Sequence, residues 1–330
     1  MNWLITGGCG FIGRALIRHL RAQGEHKVRV YDNLSVGTRE DLLGEAEFTE
    51  LSDPTGAVDW SEELSLIVGD ILDSDRMKSA AAGADVVIHL AANTGVAPSV
   101  EDPMGDCYAN VIGTLNVLEA CRHENVGRMV FASSGAPLGV QTPPLHEEMA
   151  PHPASPYGAS KLAGEGYCSA YHHSYGVEAV VLRFGNVYGE GSTRKASVVA
   201  KFIKQAMAGE TLEIYGNGSQ TRDFIYIGDL IRAVFNAATL PGIGGEAFQI
   251  ATSAETTVGA LTERVVDAIK EVAGIEASYV HGEERTGDVA RNFSDTRKAR
   301  EKLNWQPNMP LDKGLRKTVQ FFLQQEIPTK

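Results

Sequence analysis

Near its start the chain reads Thr6-Gly7-Gly8-Cys9-Gly10-Phe11-Ile12-Gly13, which joins a short apolar run, Trp3 to Thr6, to an amphipathic segment, Phe11 to Arg21. Gly8, Gly10 and Gly13 form G-x-G-x-x-G, and Gly7 extends the pattern. Between a strand and a helix, glycines permit a tight turn and close backbone approach, and the helix start offers unpaired N–H groups to a pyrophosphate. Asp32 follows a second apolar run, Val28 to Tyr31, where a carboxylate can accept both hydroxyls of an adenosine ribose. Position and pattern together predict a dinucleotide site. Asp32 favours NAD over NADP because it would repel a 2′-phosphate. Asp70, after Leu66-Ile67-Val68-Gly69, either holds the adenine amino group or is a solvated loop acid.

Short apolar runs continue at Ser65 to Val68, Val86 to Leu90, Met129 to Ala132 and Ala179 to Arg183, separated by longer helical patterns. Asp106 to His123 carries Val111, Leu115 and Leu118 at helical spacing, and Pro156 to Tyr175 opens on a proline. This alternation predicts an α/β chain with a Rossmann-type, doubly wound parallel sheet. The acidic stretch Asp41 to Glu63 reads as a surface insertion. After Arg183, glycine-rich loops replace the alternation, which predicts a smaller α/β C-terminal substrate lobe. Phe224 to Ile227 and Asp229 to Ala238 read as a strand and helix that rejoin the first unit. The expected division is therefore 1–182 plus about 223–252 for the dinucleotide domain, and 183–222 plus 253–330 for the lobe.

Thirty basic residues against 42 acidic ones give a net charge of −12, which disfavours nucleic acid and anionic membranes as partners. Any phosphate needs a local site. No secretory signal or bilayer-length apolar stretch is seen, and Cys9, Cys107, Cys121 and Cys168 lack paired spacing, so a cytoplasmic protein with unbridged thiols is expected. No metal site is expected, since the histidines form no H-E-x-x-H pattern. His89, inside an apolar run, reads as a satisfied core histidine.

Tyr157-Gly158-Ala159-Ser160-Lys161 sets a phenol and an ammonium one helical turn apart on the same face. A tyrosine acting as a base must ionise far below its usual pKa of about 10, at a cost of ~1.4 kcal/mol for each tenfold gain in ionisation, and a neighbouring ammonium favours the phenolate. Ser134 lies where the strand from Met129 ends, at the sheet edge where such folds bind ligands. It is placed to hydrogen-bond a hydroxyl being oxidised.

These residues, together with Asp32-Asn33-Leu34-Ser35, His89-Leu90-Ala91-Ala92, Asn110 with Gly113-Thr114, Leu182 to Gly189, Arg222-Asp223-Phe224, Arg285 with Gly287-Asp288, and Leu303 to Pro307, resemble an extended short-chain dehydrogenase/reductase of the nucleotide-sugar epimerase and dehydratase family. The resemblance spans nearly the whole chain. It implies that Tyr157 is the general base, that Lys161 binds the nicotinamide ribose and lowers the tyrosine pKa, and that Ser134 orients the substrate. It further implies NAD contacts at Gly7, Gly10, Phe11, Ile12, Gly13, Asp32, Asn33, Asp70, Ile71, Leu90, Ala91, Ala92 and Asn110. For a nucleotide-diphosphate sugar, with UDP favoured, it implies contacts at Asn186, Val199, Tyr215, Arg222, Arg285 and Asp288. Tyr215 also remains open to a core role, and the arginines to a solvated one. A homodimer through the helices near 106–123 and 156–175 is a further implication.

Departures from the family pattern narrow the chemistry. Dehydratases of this family carry Asp-Glu after the catalytic Ser or Thr, and related decarboxylases a glutamate at the second position. This chain has Gly135 and Ala136, then Pro137-Leu138-Gly139 where many relatives end in Val-Tyr-Gly. Glu190-Gly191 replaces a frequent Pro-Arg, and Arg194 and Lys195 beyond it face either a sugar carboxylate, the diphosphate or solvent. The expected activity is C4 epimerisation through a transient 4-keto sugar, without loss of water. A dehydratase or net oxidoreductase on similar substrates, and a catalytically silent NAD-binding regulator, are the alternatives.

Overall fold

The computed structural model describes residues 1–51, 59–284 and 289–325. Eight strands form one sheet: β1 Asn2–Thr6, β2 Lys27–Asp32, β3 Thr49–Glu50, β4 Leu64–Val68, β5 Val86–His89, β6 Arg128–Ser134, β7 Ala179–Phe184 and β8 Ala247–Ile250. Their order is β8-β7-β6-β5-β1-β2-β4-β3, and every pairing is parallel. Strands of such a sheet are covered on both faces, so alternate residues must both be apolar. Trp3, Ile5, Val28, Val30, Val86 and Ile88 face one layer, with Leu16 and Leu20 of the helix Phe11–Gln23. Leu4, Tyr31, Val87, Met129 and Phe131 face the other, with Met77 and Leu118. Connections run outward in opposite directions from β1 and β5, which leaves a crevice at the carboxyl ends of these central strands.

The helical pattern at 106–123 is present, with a difference in its winding. A short helix Pro103–Cys107 passes into a π-helical turn Tyr108–Ile112 and then into the helix Gly113–His123. The helix Pro156–Tyr175 begins on Ser155, whose hydroxyl accepts from Gly158 N, and stops at Gly176.

The 41–63 stretch is more than a surface insertion. Its described part contains most of the helix Arg39–Leu43, with Leu42 fully buried, and β3, one of the sheet's two edge strands. A two-residue strand is too short to show a period in the sequence.

Phe224–Tyr226 pairs with Asn186–Tyr188 outside the main sheet, while β8 pairs with β7 within it. The helix Ile227–Thr239 packs against Phe11–Gln23, and Phe235 stacks on Trp3 with ring centroids 5.8 Å apart. Beyond it, the helices Val258–Ala273 and Leu311–Gln324 pack together through Leu261, Val265, Leu315 and Val319.

Candidate active site

The glycine turn is dictated by contact. Gly7 has φ +69°, and a Cβ there would lie 2.7 Å from Ala91 N; a Cβ on Gly13 would lie 2.5 Å from Gly8 Cα. Only glycine fits either place. Gly10 caps the helix Phe11–Gln23 without a side-chain bond, so the first-turn amides, Phe11, Ile12 and Gly13 among them, have no side-chain cap. No acidic residue occupies that first turn to oppose an anion.

Asp32 ends β2 and is 8% exposed. Its Oδ2 accepts from Cys9 N at 2.9 Å and its Oδ1 from Leu34 N at 2.8 Å, so the acid also braces the turn. Burial raises its pKa while those two amides pull it down. Asn33 Nδ2 donates to Asp70 Oδ2 at 3.0 Å, and Asp70 Oδ1 accepts from Leu72 N at 2.9 Å. Asp70 is thus a structured loop acid beside the Asp32 segment, and the neighbouring Ile71 packs against Gly113. Across the crevice, Leu90 N and Ala91 N donate to Thr6 O and Oγ1 at 3.1 and 3.2 Å, and partly buried Ala92 follows.

Asn110 lies in the π-helical turn and is 1% exposed. Its amide exchanges bonds with the Asn93 backbone at 2.8 and 3.0 Å and reaches Ser160 Oγ at 3.2 Å. Its side chain is committed to joining three segments. His89 is buried between Thr6 Oγ1 at 2.8 Å and Thr114 Oγ1 at 3.0 Å, and burial holds its pKa down at about 3.

Ser134, Tyr157 and Lys161 meet at the carboxyl end of β6. Tyr157 is half-buried; burial raises its pKa, a hydrogen bond from Ser134 lowers it, and the Asp106 carboxylate raises it. Lys161 Nζ donates to Ala132 O at 2.9 Å and sits 4.9 Å from the centroid of the Phe131 ring. Burial pulls its pKa down to about 8, against the opposing pull of Asp106. Ser134 Oγ accepts from Ala136 N at 3.1 Å. A Cβ on Gly135 would meet Asn292 Nδ2 at 3.6 Å, so an amide from a distant segment stands beside this position.

The substrate candidates are spread around this centre. Asn186 is exposed, with its backbone N on Asp223 O at 2.8 Å. Val199 is 1% exposed in the core, which leaves only its backbone amide, in the first turn of the helix Val198–Met207, for a ligand. Tyr215 is 40% exposed, not a core aromatic, and Lys201 Nζ lies 4.7 Å from its ring centroid. Arg222 Nη1 donates to Thr221 O and Val289 O at 2.7 and 2.6 Å, which anchors the segment leading to Asn292. Arg194 pairs with Asp41 at 2.8 Å. Arg285 and Asp288 lie outside the described residues.

Two groups escaped the sequence reading. Glu165, one turn past Lys161, is gripped by Arg183 from β7, and Asp106 is buried beside Asn110. The i, i+4 spacing to Lys161 was the one visible signal for Glu165; nothing local marked Asp106.

Fold and site together define an extended short-chain dehydrogenase/reductase, in which the crevice at β1 and β5 receives a dinucleotide and the serine, tyrosine and lysine stand at the neighbouring strand end. Within that class, the chain belongs to the NAD dependent epimerase/dehydratase family, whose model matches residues 3–251. It is 36% identical over 328 residues, 98% of each chain, to UDP-glucose 4-epimerase of Mycolicibacterium smegmatis. It is also similar to the crystal structure of UDP-glucose 4-epimerase with UDP-glucose from Thermotoga maritima, at 34% identity and TM-score 0.85, covering 98% of this chain and 99% of that one. The Thermus thermophilus UDP-glucose 4-epimerase complex with NAD matches at 33% identity and TM-score 0.83, with coverage of 98% and 99%. The cofactor is NAD. The residues present fit it: Gly7 and Gly13 leave no room for side chains, and Asp32 closes the far end of the turn.

Proposed function

We propose that this chain is an NAD-dependent 4-epimerase of nucleotide-diphosphate sugars, with UDP-sugars as substrates. The observation that carries the reading is the centre at Ser134, whose hydroxyl favours the Tyr157 phenolate and which is followed by Gly135 and Ala136, two residues with no acidic side chain. Full-length similarity to UDP-glucose 4-epimerases supports the same substrate class.

Bound NAD would supply a reversible hydride acceptor, which is the chemistry that inversion at C4 through a 4-keto sugar requires. Tyr157 takes the C4 hydroxyl proton and later gives it back, so the reaction needs no net acid or base. Ser134 holds that hydroxyl against the phenol oxygen. Lys161, fixed on Ala132 O, favours the phenolate with its charge. Asn186, Tyr215, Arg222, Arg285, Asp288 and the Val199 amide hold the nucleotide diphosphate, in a lobe of residues 183–222 plus 253–330. The NAD contacts are Gly7, Gly10 to Gly13, Asp32, Asn33, Asp70, Ile71, Leu90 to Ala92 and the turn at Asn110, in a domain of residues 1–182 plus about 223–252.

The enzyme assembles as a homodimer in the cytoplasm. Support for the dimer is a band of exposed apolar side chains, Val96, Val100, Met104, Tyr108 and Ile112, with Tyr167 on the helix Pro156–Tyr175. Support for the compartment is that all four cysteines are unbridged. No helix among the described residues is long and apolar enough to cross a membrane. Incubation with UDP-, dTDP-, GDP- and CDP-sugars, followed by chromatography, tests the activity. Formation of C4 epimers from UDP-sugars is expected; turnover confined to another nucleotide, or none at all, would overturn the reading. Sedimentation of the purified enzyme tests the dimer, which a monomer at micromolar concentration would contradict.

A further inference from the structure

The chemistry of Tyr157 and Lys161 depends on which charges face them, and most of those charges are accounted for. On their own helix, Glu165 is neutralised by Arg183 Nε and Nη2 at 2.9 and 2.6 Å and accepts from Ser133 Oγ at 2.5 Å. Cys168, further along, is pushed far up by burial and stays a neutral thiol. From β5, His89 is neutral between its two threonines. Among the described residues whose charge acts on Lys161, one anion remains without a cationic partner: Asp106, on the helix Pro103–Cys107.

Asp106 is 1% exposed. Its Oδ1 accepts from Asn110 Nδ2 at 2.9 Å, while its Oδ2 is buried with no hydrogen-bond partner. Asn110 Nδ2 also reaches Ser160 Oγ at 3.2 Å, and Ser160 Oγ donates to Tyr157 O at 3.1 Å. A short polar chain therefore links the carboxylate to the helical turn that bears both Tyr157 and Lys161. Leaving half of a buried carboxylate's hydrogen-bonding capacity unused costs stability.

We propose that Asp106 is a positioning residue of the Tyr157 and Lys161 pair: it seats their helical turn through Asn110 and supplies the uncompensated negative charge that sets where both groups release protons. This rests on the reading of Tyr157 and Lys161 as the proton-handling pair. A negative charge beside two protonated groups holds both protons more tightly. Its removal therefore eases both macroscopic deprotonations, whichever group titrates first.

The test uses the NAD-loaded enzyme and its Asp106→Asn variant, with Asp106→Ser measured in the same way should the amide fail to fold. The pH profile of kcat is recorded with a UDP-hexose. Tyrosinate absorbance is titrated as the difference between each protein and its Tyr157→Phe counterpart, which needs no substrate. Both limbs of the profile and the Tyr157 titration are expected to move down by about one on the pH scale. Limbs and titration that stay in place, whatever the loss of rate, would reduce Asp106 to packing and overturn the proposal. Absence of UDP-sugar turnover in the parent would instead overturn the epimerase reading, and the difference titration would still decide the part played by Asp106.

Discussion

Arg183 on β7 grips Glu165 on the helix Pro156–Tyr175 through two parallel hydrogen bonds of 2.9 and 2.6 Å, with both side chains 7% exposed. The pair fastens the helix that carries Tyr157 and Lys161 to the sheet, one turn beyond Lys161. Arg183→Met leaves Glu165 buried without its cation, and breaking such a pair costs about 3–5 kcal/mol. Urea unfolding is expected to show that loss, with most of it recovered when Glu165→Leu is added. An unchanged midpoint for the single variant would mean that the pair is not a fastening.

Tyr157→Phe keeps the ring that fills the space beside Ser134 and removes the titratable oxygen. Turnover is expected to fall by about 10²–10⁴-fold, with NAD affinity and thermal midpoint close to those of the parent. A near-normal rate would place the base elsewhere.

Lys161 is expected to give the activity its alkaline limit. Burial brings its pKa from the ordinary 10.5 down to about 8, so its charge is lost as pH rises through about 8, and kcat is expected to decline there. The stability effect has the opposite sense. Below about 8 the folded chain holds a proton that the unfolded chain binds more tightly, which opposes folding, and this penalty fades as pH rises from about 8 toward 10.5. Lys161→Met is expected to lose turnover without losing stability at pH 7, read by kinetics and urea unfolding on one preparation.

Asp32 is expected to select the cofactor. Both its oxygens already accept backbone amides, at 2.9 and 2.8 Å, so the carboxylate has no freedom to swing away from a 2′-phosphate. Calorimetry is expected to show NAD binding well ahead of NADP, and Asp32→Asn to narrow the gap while weakening the glycine turn. Equal affinities in the parent would contradict the assignment.

The fold was legible in the sequence where the physics is local. Runs such as Val86 to Leu90 alternate with helices because a parallel strand buries both faces, and the glycine turn announces itself because Gly7 and Gly13 admit no Cβ. The edge strand at Thr49–Glu50 was hidden because two residues carry no period. Glu165 and Asp106 escaped for another reason: their pairing with Arg183 and Asn110 is set by helix packing and by the π-helical turn, neither of which has a local signature. Asn292 beside Gly135 is likewise a product of tertiary structure, since Arg222 anchors its segment from a distance. Of the two loop acids Glu147 and Glu148, the first accepts from Gln249 N at 2.7 Å and the second is exposed.

Proton NMR of a UDP-hexose incubated with the enzyme in D₂O tests the central claim most directly. An epimerase returns the hydride that it removed and never breaks the C5–H bond, so the C4 epimer is expected to grow in with protium at both C4 and C5. No 4-keto-6-deoxy sugar should accumulate, because Gly135 and Ala136 offer neither a carboxylate to remove the C5 proton nor a carboxylic acid to protonate a departing C6 hydroxyl. Deuterium at C5, or a 4-keto-6-deoxy product formed at a rate matching epimerisation, would contradict the account.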